Sequence, residues 1–315
     1  MFTVGLGPIA NATFAVTTML IAVPTGVKIF SWIGTMWGGS IELKTPMLFA
    51  IGFIVLFVIG GLSGVSHASP PADAQQQDTY YIVAHLHYVL FGGSVFGLFS
   101  GIYYWFPKVT GRLLGESIGK IHFWLMFIGM NVLFGPMHWV GLDGMPRRVY
   151  TYSSGMGWDM WNLVSTLGSL MVAVSMIVFV WNVISSMRKE MNAGPDPWDG
   201  RTLEWSIPSP PPEYNFATIP VVHDRDDFWY QKYVEDSEGR LRPVAADATG
   251  KTVISEEDER NIHMPGLSYF PIVVALGLAM AASGILIHLA VIAVGVLVTF
   301  FGIYGWAFEP ADQEH

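Results

Sequence analysis

Cysteine is absent from this chain of 315 residues. Its absence excludes disulfides, cysteine-based zinc sites, cysteine-ligated iron–sulfur clusters and haem attached through cysteine. Histidine is therefore the expected ligand of any haem that this protein holds.

Charged residues are scarce as well, at 13% of the sequence, whereas hydrophobic residues make up 52%. This composition is far from that of a soluble domain and indicates a polytopic membrane protein. The formal net charge of −9 comes from the polar part of the C-terminal third. It therefore describes a solvated segment and gives no indication of nucleic-acid binding.

Long apolar runs dominate the sequence, and a run of about 20 residues is enough to cross the hydrocarbon core of a membrane. Five spans are predicted before residue 190, at 10–34, 47–66, 80–106, 121–141 and 158–186. The apolar run 269–308 is about twice the length of one crossing, and it predicts a helical hairpin with its turn near 284–288. The predicted fold class is an all-α, polytopic transmembrane helix bundle of about seven spans.

A polar segment separates the fifth span from the hairpin. It contains Ser209-Pro210-Pro211-Pro212 and the acidic run 256–259, which is typical of an extramembrane segment. The sequence thus predicts three parts: a helical core over 1–189, a cytoplasmic Pro-rich and acidic connection over 190–265, and a transmembrane hairpin over 266–315.

Lysine and arginine in the connections predict the orientation of the spans. They follow the first, third and fifth spans, so we expect these connections on the inner side, and the connection 66–79, which has neither residue, on the outer side. Arg147 and Arg148 are an exception because they lie in an outer connection. Neighbouring side chains of an extended segment diverge, so this pair could bind two carboxylate-bearing groups. The alternative is a pair of ordinary surface arginines.

Two histidines, His85 and His87, lie near the start of the third span. A helix advances by about 100° per residue, so the two rings point to opposite sides and cannot easily share one metal. An imidazole inside a membrane needs a partner, and one hypothesis is a separate metal centre on each side of the helix. The alternative is two packed, hydrogen-bonded histidines.

Lys28 lies between apolar residues within the first span. A charged residue there is costly and usually functional. Pro24 frees a backbone carbonyl one turn earlier, and Thr25 lies at i−3 on the same face, so Thr25 and Lys28 could form a short polar track. A proton or ion path is the corresponding hypothesis. The alternative is a lysine that reaches the inner interface.

Three separated motifs agree with one another: Pro24-Thr25-Gly26-Val27-Lys28, the stretch 78–88 with both histidines, and Gly144-Met145-Pro146-Arg147-Arg148. Together they resemble the large catalytic subunit of the haem–copper oxidases, specifically subunit I of the cytochrome c oxidase type. The resemblance runs from Met1 to about Lys189. The final hairpin is similar to an extra pair of helices fused to some prokaryotic members, and the resemblance implies a multi-pass protein of a prokaryotic plasma membrane.

The resemblance implies two haems, a low-spin haem a and a high-spin haem a3. His85 would be the proximal ligand of the high-spin haem, where oxygen is reduced, and His87 an axial ligand of the low-spin haem. Arg147 and Arg148 would pair with the haem propionates.

Lys28 with Thr25 would belong to a proton pathway from the inner side. Asp78 corresponds to a ligand of a magnesium or manganese site near the outer surface. Gln77 stands where the family pattern has a histidine, although an amide oxygen can also bind a hard cation.

The copper ligands of the family are expected upstream of Met1, because a His-His pair immediately precedes the corresponding Met-Phe-Thr-Val-Gly in the family. The chain is therefore similar to the C-terminal part of subunit I, about helices eight to twelve, with a fused hairpin. We expect either a longer gene product or a subunit split in two, and the first is favoured.

The complete enzyme implied by the resemblance is a proton-pumping terminal oxidase. It would take electrons from cytochrome c and reduce O2 to water, with subunit II carrying the electron-entry site and subunit III as a further partner in the lipid membrane. Two alternatives stay open: a quinol oxidase of the same superfamily, and a non-catalytic membrane fragment or an ion transporter that uses Lys28.

The remaining internal histidines have no motif behind them. His122 and His138 bracket the fourth span and are predicted to be packed or hydrogen-bonded. The others are predicted to lie in or near connections and are assigned no role: His67, His223, His263 and His288.

Overall fold

The computed structural model describes residues 2–216, 219–237, 240–244 and 268–309. Within these residues, seven helical segments are long and apolar enough to cross a membrane. This confirms the predicted all-α polytopic class and the number of spans. The chain divides into two compact units, one formed by Met1–Pro211 with Asp226–Trp229 and the other by Pro212–Arg225 with Tyr230–His315.

The first unit contains most of the helices. They are α1 (Pro8–Leu20), α2 (Ala22–Met36), α3 (Thr45–Ala68), α4 (Pro70–Gln76), α5 (Tyr80–Leu90), a π-helical turn (Phe91–Val95), α6 (Phe96–Thr110), α7 (Glu116–Leu142), α8 (Asp159–Met187) and a 3₁₀ turn (Leu203–Trp205). Helix α9 (Asp227–Lys232) crosses the boundary between the units. The second unit adds β1 (Tyr233–Glu235), which pairs antiparallel with β2 (Leu241–Pro243), and then α10 (Phe270–Ile287) and α11 (Leu289–Ala307).

The first span consists of two helices, α1 and α2, that meet at Ile21. Pro24 has no N–H to donate to the carbonyl four residues earlier, so the helical hydrogen-bond ladder is interrupted at this point. The third span is continuous from α5 through the π-helical turn into α6. That turn begins four residues after His87, and π-helical turns are frequent at functional sites.

Helix α7 begins at Glu116, five residues before the start predicted at residue 121. The physical reason is a contact that hydropathy does not report: the Thr45 N–H donates to Glu116 Oε1 over 2.9 Å. This bond joins the polar first turn of α7 to the first turn of α3. The apolar run alone therefore gave too late a start for this helix.

Connections predicted on one side of the membrane lie at the same end of the first unit. At one end, Arg112 Nε donates to the Lys189 carbonyl over 2.8 Å and the Asn192 N–H donates to the Gly111 carbonyl over 3.0 Å. At the other end, Thr79 and Pro146 form an isolated antiparallel bridge. The structure therefore groups the predicted inner connections together and the predicted outer connections together.

Residues following α8 pack at the end of the first unit that holds the predicted inner connections. They contact Lys108, whose side chain is buried. Its Nζ donates to the carbonyls of Pro195 over 2.9 Å and Ile207 over 2.7 Å, and it lies 5.1 Å from the ring centroid of the fully buried Trp205. The described residues 190–211 thus belong to the first unit. The acidic run 256–259 and the boundary predicted at 265/266 lie outside the described residues.

In the second unit, α10 and α11 form the predicted helical hairpin, with its turn at His288. Small residues bring the two backbones close together, as is common in membrane helix pairs. A Cβ at Gly295 would lie 2.3 Å from the Ala281 nitrogen, and one at Gly284 would lie 2.5 Å from the Ile292 nitrogen. The hairpin is therefore held by tight backbone packing.

Candidate functional site

His85 is fixed by two groups of α3. Its Nδ1 lies 2.8 Å from Ser63 Oγ and 3.0 Å from the Gly60 carbonyl oxygen, while the Ser63 hydroxyl donates to that same carbonyl over 2.9 Å. A carbonyl can only accept, so Nδ1 carries the proton of the neutral ring and Nε2 carries the lone pair. This is the tautomer that an imidazole needs in order to ligate a metal through Nε2.

Two glycines of α3 allow this close contact with α5. A Cβ at Gly60 would lie 2.9 Å from the Val89 nitrogen, and one at Gly64 would lie 3.0 Å from His85 Cε1. Any side chain at these positions would push α5 away or rotate the His85 ring. The spacing of the glycines at i and i+4 places both on one face of α3, and that face sets the position of His85.

His85 opens into a cavity of about 550 Å³ between α1, α2, α3 and α5. This volume lies within the range of cofactor sites in proteins. Apolar side chains and glycines form most of the wall. The polar side chains in the wall are those of Thr18, Thr25, His67 and His85.

His87 lies on the opposite side of α5, which confirms the divergence predicted from helical geometry. Its ring stacks on Phe134 of α7, with centroids 4.1 Å apart and an interplanar angle of 14°. Its Nδ1 lies 2.7 Å from the Val83 carbonyl oxygen, so Nδ1 again carries the proton. Among the described residues no group hydrogen-bonds to His87 Nε2.

Thr25 and Lys28 are placed differently by the structure. Thr25 lies in the wall of the His85 cavity, and its hydroxyl donates to the Ile21 carbonyl over 2.9 Å. Lys28 lies one turn further along α2 with an exposed side chain, and no described residue pairs with it. The structure therefore brings Thr25, but not Lys28, to the cavity.

Asp78 and Arg147 join the two connections that are predicted to lie on the outer side. Arg147 Nε donates to Asp78 Oδ1 over 2.8 Å, and the Arg147 N–H donates to the Asp78 carbonyl, also over 2.8 Å. Arg148 follows with a positive φ of 68° and an exposed side chain. The two arginines therefore lie in a turn and not in the extended segment that was predicted, and the ion pair between Arg147 and Asp78 was not predicted.

The described residues do not fit a magnesium or manganese ion at Asp78. The Asp78 carboxylate is paired with Arg147, and the Gln77 side chain donates from Nε2 to Thr3 Oγ1 over 2.8 Å. No group of three or more His, Cys, Asp or Glu side chains that could hold a metal ion occurs in the part of the chain that the structure describes.

Haem fits the described residues better, because a haem needs only one or two axial ligands from the protein. His85 and His87 each have a protonated Nδ1 bound to a carbonyl and an Nε2 with no hydrogen-bond partner in the described residues. The mostly apolar cavity beside His85 suits a flat, apolar macrocycle.

Sequence reasoning missed two residues of this site, Ser63 and His67. His67 was predicted to lie in or near a connection, but α3 continues to Ala68 and His67 lies in its last turn. Its ring centroid is 4.9 Å from that of His85. The signal was present in the sequence, because Gly60, Gly64 and His67 follow the i, i+4, i+7 spacing of one helical face.

The fold and the site together define a multi-span, all-α membrane protein with two Nδ1-anchored histidines on opposite sides of one helix. Residues 1–171 match the family model described as cytochrome c and quinol oxidase polypeptide I. The chain therefore belongs to this family.

Several relatives are similar over most of the chain. Cytochrome c oxidase subunit 1 of Bacillus sp. (strain PS3) is 49% identical over 311 residues, which cover 96% of this chain and 48% of that protein. The protein of the same name from Bacillus subtilis (strain 168) is 48% identical, over 95% of this chain and 47% of that protein. The chain thus spans about half the length of these curated relatives.

The same name belongs to a relative from Thermostichus vulcanus, which is 54% identical over 70% of this chain and 40% of that protein. A solved structure of a haem–copper terminal oxidase dimer aligns with a TM-score of 0.51 and 18% identity, over 61% of this chain and 39% of that one. At this identity the structural likeness shows the fold alone.

Proposed function

We propose that this chain is the C-terminal part of the catalytic subunit of a terminal oxidase that reduces O2 to water. The observation that carries the proposal is α5, which presents His85 towards α3 and His87 towards α7 with Nδ1 of each ring bound to a carbonyl. A helix between two haems needs this arrangement. The relatives that match nearly the whole chain are named cytochrome c oxidase subunit 1.

His85 would hold a high-spin haem a3 and His87 a low-spin haem a. Bound haem supplies electron transfer and, where one axial position is open, the binding of O2. The chain's own contribution is orientation: Ser63 and the Gly60 carbonyl fix the His85 ring, and the Val83 carbonyl and Phe134 fix the His87 ring.

Arg147 and Arg148 would serve the haem carboxylates at the outer end. Arg148 has an exposed guanidinium with no partner among the described residues. Arg147 is held by Asp78 through Nε and Nη2, which leaves Nη1 to donate to a second carboxylate. Asp78 would then position Arg147, and the proposal uses no magnesium or manganese ion.

Lys28 and Thr25 would supply protons from the inner side. Thr25 is the member that reaches the cavity wall beside His85. Lys28 lies one turn away on the same helix, and a lysine inside a span is costly unless it has a function. The pair would therefore pass protons along α2 towards the cavity and support proton pumping.

Copper, the electron donor and the partner subunits would come from outside this chain. The copper ligands would lie in the part of the complete subunit that this chain does not cover, since the chain spans about half the length of its relatives. We assign cytochrome c as the donor because the relatives carry that name, and the family model also includes quinol oxidases. A subunit II with the electron-entry site, a subunit III and a bacterial plasma membrane complete the proposal.

The test is to purify the native protein that contains this sequence from its membrane and to record its reduced spectrum and its O2 consumption. We expect two haem signals, of which one responds to carbon monoxide, and O2 uptake with reduced cytochrome c. O2 uptake with quinol alone would select the quinol oxidase. A protein without any haem absorbance would contradict the proposal and favour a non-catalytic protein or a transporter.

A further inference from the structure

We propose that His67 is a positioning residue that donates a hydrogen bond to the carboxylate edge of the haem ligated by His85. The inference rests on the proposed function and adds a residue that none of the motifs contains.

His67 shares a helical face with the residues that fix His85. It lies one turn beyond Gly64 on α3, and its ring lies 4.9 Å from that of His85 in an edge-on arrangement of 61°. Both rings line the same cavity. A haem held by His85 would therefore lie within reach of the His67 side chain.

The His67 ring has an unused hydrogen-bonding capacity. Both Nδ1 and Nε2 are buried without a hydrogen-bond partner among the described residues. The carboxylate oxygen Asp73 Oδ1 lies 3.7 Å from Nδ1, which is beyond hydrogen-bond range. A buried polar group without a hydrogen bond is unfavourable, so this ring is expected to have a partner in the complete protein.

The other polar side chains in the wall of the His85 cavity already have a partner or a proposed role, or lie on another side of the cavity. The Thr25 hydroxyl donates to the Ile21 carbonyl, and His85 is the proposed iron ligand. The Thr18 hydroxyl lies on the α1 side of the cavity. His67 is thus the remaining nitrogen donor in the wall.

The position of His67 along the membrane normal agrees with this role. It lies in the last turn of α3, one residue before the helix ends at Ala68. The outer connection follows directly and leads to Asp78, which holds Arg147. A haem has its two carboxylates at one edge, and the arginines that would bind carboxylates lie at this same outer end. His67 would hold the carboxylate edge from the α3 side.

The experiment compares two variants of the full-length subunit in the assembled complex. His67→Phe keeps the ring shape and removes both nitrogens, and His67→Gln restores a donor. Two quantities are measured on the high-spin haem at fixed pH: the propionate bending band in the resonance Raman spectrum and the reduction midpoint potential. His138→Leu is the matched control, because that histidine contacts Tyr81 from α7 and lies outside the cavity wall.

We expect His67→Phe to shift both quantities beyond the spread of replicate wild-type measurements, His67→Gln to return them towards wild type, and His138→Leu to leave them unchanged. Wild-type values in His67→Phe would overturn the inference. If His67→Phe takes up no haem, uptake by His67→Gln supports the hydrogen bond and loss in both variants overturns it. A wild-type protein without a carbon-monoxide-binding haem would instead overturn the proposed function on which the inference rests.

Discussion

Two helix pairs in this protein use glycine in the same way, and only one of them forms a candidate site. In the pair α3 and α5, Gly60 allows the α5 backbone to approach, and in the hairpin of α10 and α11, Gly295 does the same. The contact glycines are four residues apart in α3, at Gly60 and Gly64, and seven apart in the hairpin, as at Gly295 and Gly302. In the first pair the close approach brings His85 onto Ser63 and a carbonyl, whereas in the hairpin it brings together apolar side chains and Thr299.

A close helix contact therefore does not identify a site by itself. Glycine allows close packing in both helix pairs. The pairs differ in the side chain that the close contact holds in position, which is His85 only in the pair of α3 and α5. Thr299 is the hairpin's counterpart of Ser63, but its hydroxyl donates only to the Gly295 carbonyl of its own helix, over 2.8 Å. Matched substitutions in the two pairs test this distinction.

The largest difference is expected from the glycines. Gly60→Val and Gly295→Val both introduce side chains where a Cβ alone would meet backbone within 3 Å. Overpacking of this kind costs about 1–3 kcal/mol, so both variants should lower the denaturation midpoint in detergent. Only Gly60→Val should also abolish or strongly reduce the carbon-monoxide-binding haem signal. Equal loss of that signal in Gly295→Val would contradict the claim that only the contact between α3 and α5 positions a haem ligand.

Two lysines extend the comparison to charged groups. Lys28 is exposed on α2 without a described partner, whereas Lys108 is buried and donates to the carbonyls of Pro195 and Ile207. Lys28→Met should leave haem content intact and slow O2 reduction by at least about tenfold, equivalent to about 1.4 kcal/mol of activation free energy. Lys108→Met should instead lower stability by about 1–3 kcal/mol, because it leaves buried carbonyls unpaired. Full turnover in Lys28→Met would remove Lys28 from the proton path.

Removing the hydroxyl of Ser63 or of Thr299 should have a smaller effect than the substitutions above. Ser63→Ala removes one of the two partners of His85 Nδ1 and leaves the Gly60 carbonyl in place. A hydrogen bond of this kind contributes about 0.5–1.5 kcal/mol. We expect a measurable change in the iron–histidine stretching frequency with haem content unchanged. Thr299→Val is the control and should not alter that frequency; an unaltered frequency in Ser63→Ala would show that Ser63 does not tune the ligand.

The smallest expected effect is a change in the pH dependence of stability, and it comes from Asp73 on α4. Burial raises the pKa of its carboxyl, and the nearby charge of Asp78 acts in the same direction. The protonated acid is therefore favoured by the folded state, and stability is lost as the pH rises from the ordinary aspartate value through the raised pKa. Asp73→Asn should be more stable than wild type at neutral pH and lose this advantage in acid.

The measurement is the denaturation midpoint of wild type and Asp73→Asn between about pH 4 and pH 8. Asp143→Asn is the control for loss of an exposed carboxylate, because Asp143 lies on the surface at the end of α7. Midpoints of wild type and Asp73→Asn that run parallel over the whole range would show that Asp73 carries no such penalty.

Hydropathy predicted the spans because the membrane imposes their length and composition. The hairpin turn at His288 and the opposite directions of His85 and His87 followed from apolar length and helical geometry. The early start of α7 at Glu116 did not, because it depends on a contact with Thr45, 71 residues away in sequence.

The residues that support the candidate ligands could not be predicted from the sequence either. Which face of α3 meets α5 depends on tertiary packing, so the roles of Gly60 and Ser63 could not be assigned from their own segment. The pairing of Arg147 with Asp78 joins two connections 69 residues apart in sequence. His67 differs from these residues. Once α3 is known to reach Ala68, the sequence spacing alone places His67 on the same helical face as Gly60 and Gly64.

The most direct measurement is the reduced-minus-oxidised and carbon-monoxide difference spectrum of His85→Ala and His87→Ala in the full-length subunit. If α5 presents two haem ligands to opposite sides, His85→Ala abolishes the carbon-monoxide-binding haem signal and retains the low-spin signal, and His87→Ala does the reverse. Wild-type spectra in either variant, or loss of the same single signal in both, would contradict the assignment of one haem to each side of the helix.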